Sequence, residues 1–337
     1  MSDLQELLTG ILLVAGATLF VALFTAPFEA MTWWSRWTTT DDGDLENVDG
    51  LPIDKLSENP AAINEADDKA VVVYVTGIGT ITGDSHPPLE ANFLDELKKA
   101  MPYATIIQDF FPYSPMGIPL TGQRIFGWFW RYLGGHSANV AKNLIRLRNM
   151  FQVLVAADGR YGPIYSAGTY QVIRKKLYQS GQTPGSHRPV ILLGYSGGAE
   201  VSVGAAPFLR TAFKARLSLL SLGGVLSSHS GLSALDDIVH IQGTADRVTR
   251  IGAVGFIHRW RIFAKSYWNE ARREGRITRI TFPGVGHNGP NGYLDDASSP
   301  AEGQPSNMRM TVDAIKRMVD NEIAESERDR NYKSSTV

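Results

Sequence analysis

Within this 337-residue chain one stretch restricts the fold more than any other: Val190-Ile191-Leu192-Leu193-Gly194-Tyr195-Ser196-Gly197-Gly198-Ala199-Glu200. A short apolar run, β-branched at its start, breaks into Gly-x-Ser-x-Gly, and small residues then open a stretch of helical spacing. Glycines at 194 and 198 leave room for a sharp strand-to-helix turn that lifts the Ser196 hydroxyl off the end of a sheet. The new helix points its free N–H groups and the positive end of its dipole at whatever binds there. The stretch therefore predicts strand, turn and helix in succession, with a nucleophilic serine at the turn; a plain βα turn is the bland alternative.

The flanking chain supplies the rest of a layered α/β pattern. Val71-Val72-Val73-Tyr74-Val75 reads as a first strand and closes in Thr76-Gly77-Ile78-Gly79, the form of a parallel strand feeding a ligand loop. Residues 88–100 have helical spacing, and Ala104-Thr105-Ile106-Ile107 reads as the next strand, so the order strand, loop, helix, strand predicts a doubly wound sheet. From there to the serine strand the chain is far longer than one crossover requires. It includes Arg124-Ile125-Phe126-Gly127-Trp128-Phe129-Trp130-Arg131-Tyr132-Leu133, apolar nearly all the way round, either a helix buried on several sides or a cap that faces substrate or membrane. Helical spacing continues over Val140–Ala156 and around Tyr170–Leu177. After a helix ending near Phe213, strands are predicted at 217–222, 238–242 and 277–282. Phe256, Trp260, Phe263 and Tyr267 share one helical face with Arg259, Arg261 and Lys265 around it; packing on the sheet with the arginines in water is the favoured reading over lying on an anionic membrane. A helix over about Met308–Ala324 and a frayed charged tail, 326–337, close the chain.

A serine hydroxyl is a poor nucleophile at neutral pH and needs a base within reach and an acid to orient that base. Asp246 follows the strand at 238–242, and His287 sits in the glycine-rich loop after the last strand. Serine, aspartate and histidine thus each stand just past a strand's C-terminal end, in that order. Asp236 and Asp237 precede their strand, at the wrong end, and Asp295 and Asp296 read as loop carboxylates. Among the other histidines, His86, His136, His187, His229, His240 and His258, only His86 competes as a base.

On these residues the chain resembles the α/β-hydrolase superfamily over roughly residues 70–325. The resemblance implies a mostly parallel, doubly wound sheet with a helical cap insertion at about 112–188. It implies Ser196 as nucleophile, His287 as general base and acid, and Asp246 as the orienting carboxylate. It also implies an oxyanion hole from the backbone N–H groups of Gly197 and Ile78. Many members carry His-Gly after the first strand, where this chain has Thr76-Gly77.

From Leu7 to Phe28 there is no charged residue, and Trp33, Trp34 and Trp37 follow with Arg36 among them. A transmembrane helix needs roughly 20 apolar residues, with aromatic residues at its edge, so residues 1–37 are expected to form a single-pass membrane anchor. A buried core helix and a cleaved signal are the alternatives, the latter weakened by the acidic Asp3 and Glu6. Arg36 leans toward a cytoplasmic C-terminal domain. Residues 38–69 carry ten carboxylates against Lys55 and Lys69 and read as an acidic linker. A net charge of −1 argues against a nucleic-acid partner, and the absence of cysteine removes disulfides, thiolate nucleophiles and cysteine-held metals. No metal or organic cofactor is called for. The expected activity is cleavage of carboxylic esters, lipid-like or otherwise apolar, through an acyl-enzyme. An acyltransferase or thioesterase with the same triad, and a tethered non-catalytic binding protein, are the rivals.

Overall fold

The computed structural model describes residues 68–335 apart from 115–116, 123–126 and 136–138, together with positions 5, 9, 10 and 16. The expected anchor at 1–37, nearly all of the acidic linker, Arg124–Phe126 and His136 lie outside the described residues or touch them only at single positions. Among the described residues no helix is long and apolar enough to cross a membrane.

Strand β1 (Ala70–Val75) leads to helix α1 (Pro88–Ala100) and strand β2 (Ala104–Ile107). Helices α2 (Gly127–Gly134), α3 (Asn139–Ala157) and α4 (Gly162–Gln179) precede β3 (Val190–Tyr195) and α5 (Gly198–Phe213). The chain continues through β4 (Leu217–Leu222), β5 (Ile238–Gly243), α6 (Arg247–Gly255), α7 (Tyr267–Arg273) and β6 (Ile277–Phe282) to α8 (Asn307–Ser335).

The six strands form one all-parallel sheet in the order β2-β1-β3-β4-β5-β6. Continuous apolar runs suit strands covered on both faces, and every residue of β1, β3 and β4 is buried. Alternation divides the core in two. Val71, Val73, Val75 and Leu192 pack with residues of α3, α4 and α5, whereas Val72, Tyr74, Ile191 and Leu193 pack with Phe93 and Leu97 of α1 and Val312, Ile315 and Val319 of α8. On the edge strand β6, Thr278, Arg279 and Thr281 face water, which blunts an otherwise open ladder. The connections reverse direction between β1 and β3, and that reversal opens a crevice outside the carboxyl ends of those strands.

Two local expectations require correction. The helix expected across Phe256–Tyr267 is broken: α6 ends at Gly255, a single 3₁₀ turn covers Ile257–Arg259, Trp260 is extended, and α7 starts only at Tyr267. Capping overrides the apolar period here. The Ser266 hydroxyl accepts from the Asn269 amide, and Asn269 Nδ2 donates to the carbonyls of Trp260 at 2.9 Å and Phe263 at 3.2 Å, groups a continuous helix would have bonded internally. At the C-terminus the helix does not stop near Ala324 with a frayed tail after it. It runs to Ser335, supported by Glu325–Arg328 pairing and by the Ser326 hydroxyl donating to the His187 carbonyl at 2.8 Å. In α2, the segment left open between a helix buried on several sides and a cap, Trp130 is buried whereas Trp128 is 66% and Tyr132 62% exposed. Behind it, α4 belongs to the layer that covers the sheet, with Tyr165, Ile173 and Leu177 fully buried.

Candidate active site

Ser196 sits between β3 and α5 with φ at 53°, the left-handed region that a side chain occupies only when its surroundings compel it. Those surroundings are two close backbone crossings. A Cβ on Gly194 would lie 2.4 Å from Ala199 Cα, and one on Gly198 would lie 2.3 Å from the Val75 carbonyl oxygen. Both positions therefore exclude any larger residue. The Ser196 N–H donates to the Leu222 carbonyl at 3.0 Å, and its own carbonyl accepts from the Val225 amide at 3.2 Å, which ties the turn to β4 and the loop after it.

The expected acid and base converge on this turn. His287 Nε2 lies 2.8 Å from Ser196 Oγ, and His287 Nδ1 lies 2.9 Å from Asp246 Oδ2. Asp246 is fully buried just past β5 and doubles as the N-cap of α6, its Oδ1 accepting from the amides of Val248 at 2.8 Å and Thr249 at 3.1 Å. Burial pushes the Asp246 carboxyl up, but the hydrogen bonds and charge of His287, the Tyr293 hydroxyl and the Thr249 amide outweigh it, and the carboxyl is held below its ordinary range.

Two tyrosines that sequence reasoning missed hold the imidazole. The Tyr293 hydroxyl donates to Asp246 Oδ2 at 2.8 Å and accepts from the Gly243 amide at 2.6 Å. The Tyr195 hydroxyl donates to the His287 carbonyl at 3.0 Å, and its ring stacks on the imidazole at a centroid distance of 5.8 Å. Tyr195 is the first of the two variable residues of the Gly-x-Ser-x-Gly motif, and no sequence signal marks it or Tyr293. Asp295 is the loop carboxylate expected: it accepts from the amides of Asn291 at 2.6 Å and Ala297 at 3.0 Å and so shapes the segment that follows His287.

The loop after β1 is fixed from both sides. Glu90 accepts from Tyr74 at 2.9 Å and Thr76 at 2.5 Å, while Tyr113 donates to the Thr76 carbonyl at 2.6 Å. Asn149 of α3 donates to the carbonyls of Ile78 at 2.9 Å and Thr80 at 2.8 Å. A Cβ on Gly197 would approach the side chains of Ile78 and Val153 to 2.8 Å, so this loop and the turn are in close contact. Beside the loop, Gly79, Thr82, Ser85, His86 and Arg131 help to line a cavity of about 410 Å³.

The competing residues are accounted for elsewhere. His86 lies 3.8 Å from Glu90 and edge-on to Tyr74, and neither of its ring nitrogens has a hydrogen-bond partner among the described residues. His240 lies inside β5 with Nδ1 3.0 Å from the Ser221 hydroxyl, and burial drives its pKa down to about 3. His229 caps a 3₁₀ turn by accepting from the Gly231 amide. Asp236 and Asp237 pair with Arg210 and Arg216 at the opposite end of the sheet. A further group went unnoticed in the sequence: Glu200, in the first turn of α5, is fully buried, accepts from the amide and hydroxyl of Ser227, and is pushed by burial up to about 7. Its position four residues after the serine was the only available signal.

This arrangement can move a proton from Ser196 to His287 and stabilise the resulting imidazolium with a buried carboxylate. No protein-family model matches the chain, and no curated protein matches it.

Proposed function

We propose that the chain is a serine hydrolase of the α/β-hydrolase type that cleaves carboxylic esters with an apolar acyl part. The observation that carries the reading is the continuous line Asp246–His287–Ser196 at 2.9 and 2.8 Å, with the serine on a turn at positive φ. An imidazole in contact with the hydroxyl takes its proton as oxygen attacks the ester carbonyl. Asp246, aided by Tyr293, fixes the imidazole tautomer with a proton on Nδ1, which leaves Nε2 as the acceptor.

Attack forms the Ser196 Oγ–carbon bond and leaves a tetrahedral oxyanion. The Gly197 and Ile78 N–H groups are the proposed donors to that oxyanion. Support comes from the two carbonyl anchors of Asn149 and the tight contact of Ile78 with Gly197, which preorganise the loop before substrate arrives. The imidazolium then returns its proton to the leaving alcohol, and the C–O bond to that alcohol breaks. Water, deprotonated by the same imidazole, releases the acid and restores Ser196. In this reading the segment from about 112 onward that carries α2 and α3 borders the acyl site as a cap, and Leu7–Phe28 tethers the enzyme to a membrane.

Reaction of the full-length protein with a fluorophosphonate probe tests the proposal. Wild type is expected to label on Ser196, with labelling lost in Ser196→Ala and strongly slowed in His287→Ala. An unlabelled wild type, or labelling that survives Ser196→Ala, overturns the assignment.

A further inference from the structure

We infer that the excursion between β5 and β6, residues 247–267, is a docking surface for an anionic lipid bilayer. The excursion departs directly from Asp246, and its apolar side chains point the wrong way for a segment that merely covers the sheet. Helix α6 buries Thr249 and Gly252, the latter so closely seated that a Cβ would meet Val225 at 2.8 Å. Its opposite side turns Val248, Ile251 and Val254 outward, with Ile251 71% exposed. Past the helix, Ile257, Trp260 and Ile262 are exposed as well, Ile262 to 77%. Folded chains rarely gather so many bare aliphatic and aromatic side chains in one short segment unless a partner covers them.

Charge identifies the partner. Between Arg247 and Asn269 there is no aspartate or glutamate, and Arg247, Arg250, Arg261 and Lys265 are all exposed. None of these four cations forms an ion pair with a carboxylate among the described residues, Arg250 making only a 3.3 Å hydrogen bond to the Asp246 carbonyl, unlike Lys316, Arg328 and Arg276, which are paired. Arg259 is already committed, lying 3.8 Å above the Trp268 ring and donating to the Leu226 carbonyl at 2.9 Å. Unpaired cations interleaved with isoleucine, valine and tryptophan match a surface that offers phosphates above and acyl chains just below. An acidic protein would satisfy the cations but leave no reason for the aliphatic tips. The excursion grows out of the N-cap residue Asp246, so its docking would hold the Ser196 side of the sheet at the lipid.

The cysteine-free sequence gives a clean test. Single-cysteine versions of the full-length protein, Ile251→Cys, Ile262→Cys and, as a remote reference, Glu302→Cys, are labelled with an environment-sensitive nitrobenzoxadiazole fluorophore. They are mixed with vesicles of phosphatidylcholine alone or of phosphatidylcholine with phosphatidylglycerol. The expected result is a blue shift and quenching by lipid-borne quenchers at 251 and 262 but not at 302, on the anionic vesicles and reversed by salt. Adding Arg250→Glu and Arg261→Glu should lower the lipid-inserted population reported by the probes at 251 and 262 about tenfold or more, also where the N-terminal tether keeps the protein on the vesicle. Equal signals at all three positions, or equal shifts on neutral vesicles, overturn the proposal. So does a shift at 251 and 262 without lipid, which marks a second copy if it grows with protein concentration and a segment of the same chain if it does not. The readout does not use turnover, so its outcome is separate from that of the hydrolase reading.

Discussion

The two ends of the sheet are built from the same kinds of side chain and treat them in opposite ways. At the amino ends of the strands, carboxylates are paired with arginines: the partly exposed Arg210–Asp236 pair, the largely buried Arg188–Asp68 pair, and Arg216 with Asp237 and the buried Glu322. Asp68, Arg188, Arg216, Asp236 and Asp237 stand just before β1, β3, β4 and β5, and the Arg188–Asp68 and Arg216–Asp237 pairs fasten strand starts to one another. At the carboxyl ends, Glu90, Glu200 and Asp246 are each buried without an arginine or lysine ion-pair partner among the described residues and depend on hydroxyls, amides and one imidazole. A partly exposed pair such as Arg210–Asp236 contributes modestly to stability and tolerates change, whereas buried groups held by neutral dipoles have shifted affinities for protons. The second arrangement is the one that can do proton chemistry.

Substitutions that break this contrast should differ in kind as well as in size. On the proposed hydrolase reading, the largest effect is expected at the carboxyl end, in ester turnover. Ser196→Ala and His287→Ala should each lower kcat by about a millionfold, with the double variant no worse than either alone, and Asp246→Asn should lower it about ten-thousandfold through the wrong imidazole tautomer. Losses within tenfold in steady-state ester kinetics would remove the distinction between the two ends.

A pH-dependent stability difference comes next. Glu200, pushed to about 7 by burial, keeps its proton in the folded chain over a range in which the unfolded chain has lost it, above the ordinary value of 4.5. The folded state therefore binds the extra proton, and the stability this contributes is full below about 4.5 and is lost as pH rises to 7. Glu200→Gln keeps the shape and never ionises, so it should flatten that decline by on the order of 3 kcal/mol. Urea unfolding of both proteins across this range measures it, and parallel pH profiles would count against a buried, proton-holding Glu200.

The smallest effect belongs to the amino end. Arg210→Ala should cost about 1 kcal/mol in stability and leave ester kinetics within twofold of wild type. A large kinetic loss there would mean the ion pairs reach the site after all.

How much of this was legible depended on how local the cause was. The strands at 70–75, 104–107, 190–195, 217–222, 238–243 and 277–282 were readable because continuous apolar runs bounded by turns are local signals. The spacing of Ser196, Asp246 and His287 relative to those strands was readable for the same reason. The Phe256–Tyr267 helix misled because an apolar period says nothing of Ser266 and Asn269, whose side chains rearrange the backbone. The long last helix was underestimated because its charged end lacks an apolar stripe and is held by pairs on its own surface and by the bond from Ser326 to the distant His187 carbonyl.

By itself, then, the sequence determined the parallel α/β layering, the serine turn and the order of its two partners, since glycine sterics and apolar continuity act over a few residues. Tertiary structure decided the rest. It brought Tyr195 and Tyr293 around His287, Asn149 onto the loop of Ile78, and Glu200 onto Ser227, contacts that join residues far apart in the chain. It also turned Ile251 and Ile262 toward solvent. Which face an apolar side chain presents is settled by what packs on the other side, and in α6 that is Val225 against Gly252, a contact no period in the sequence encodes.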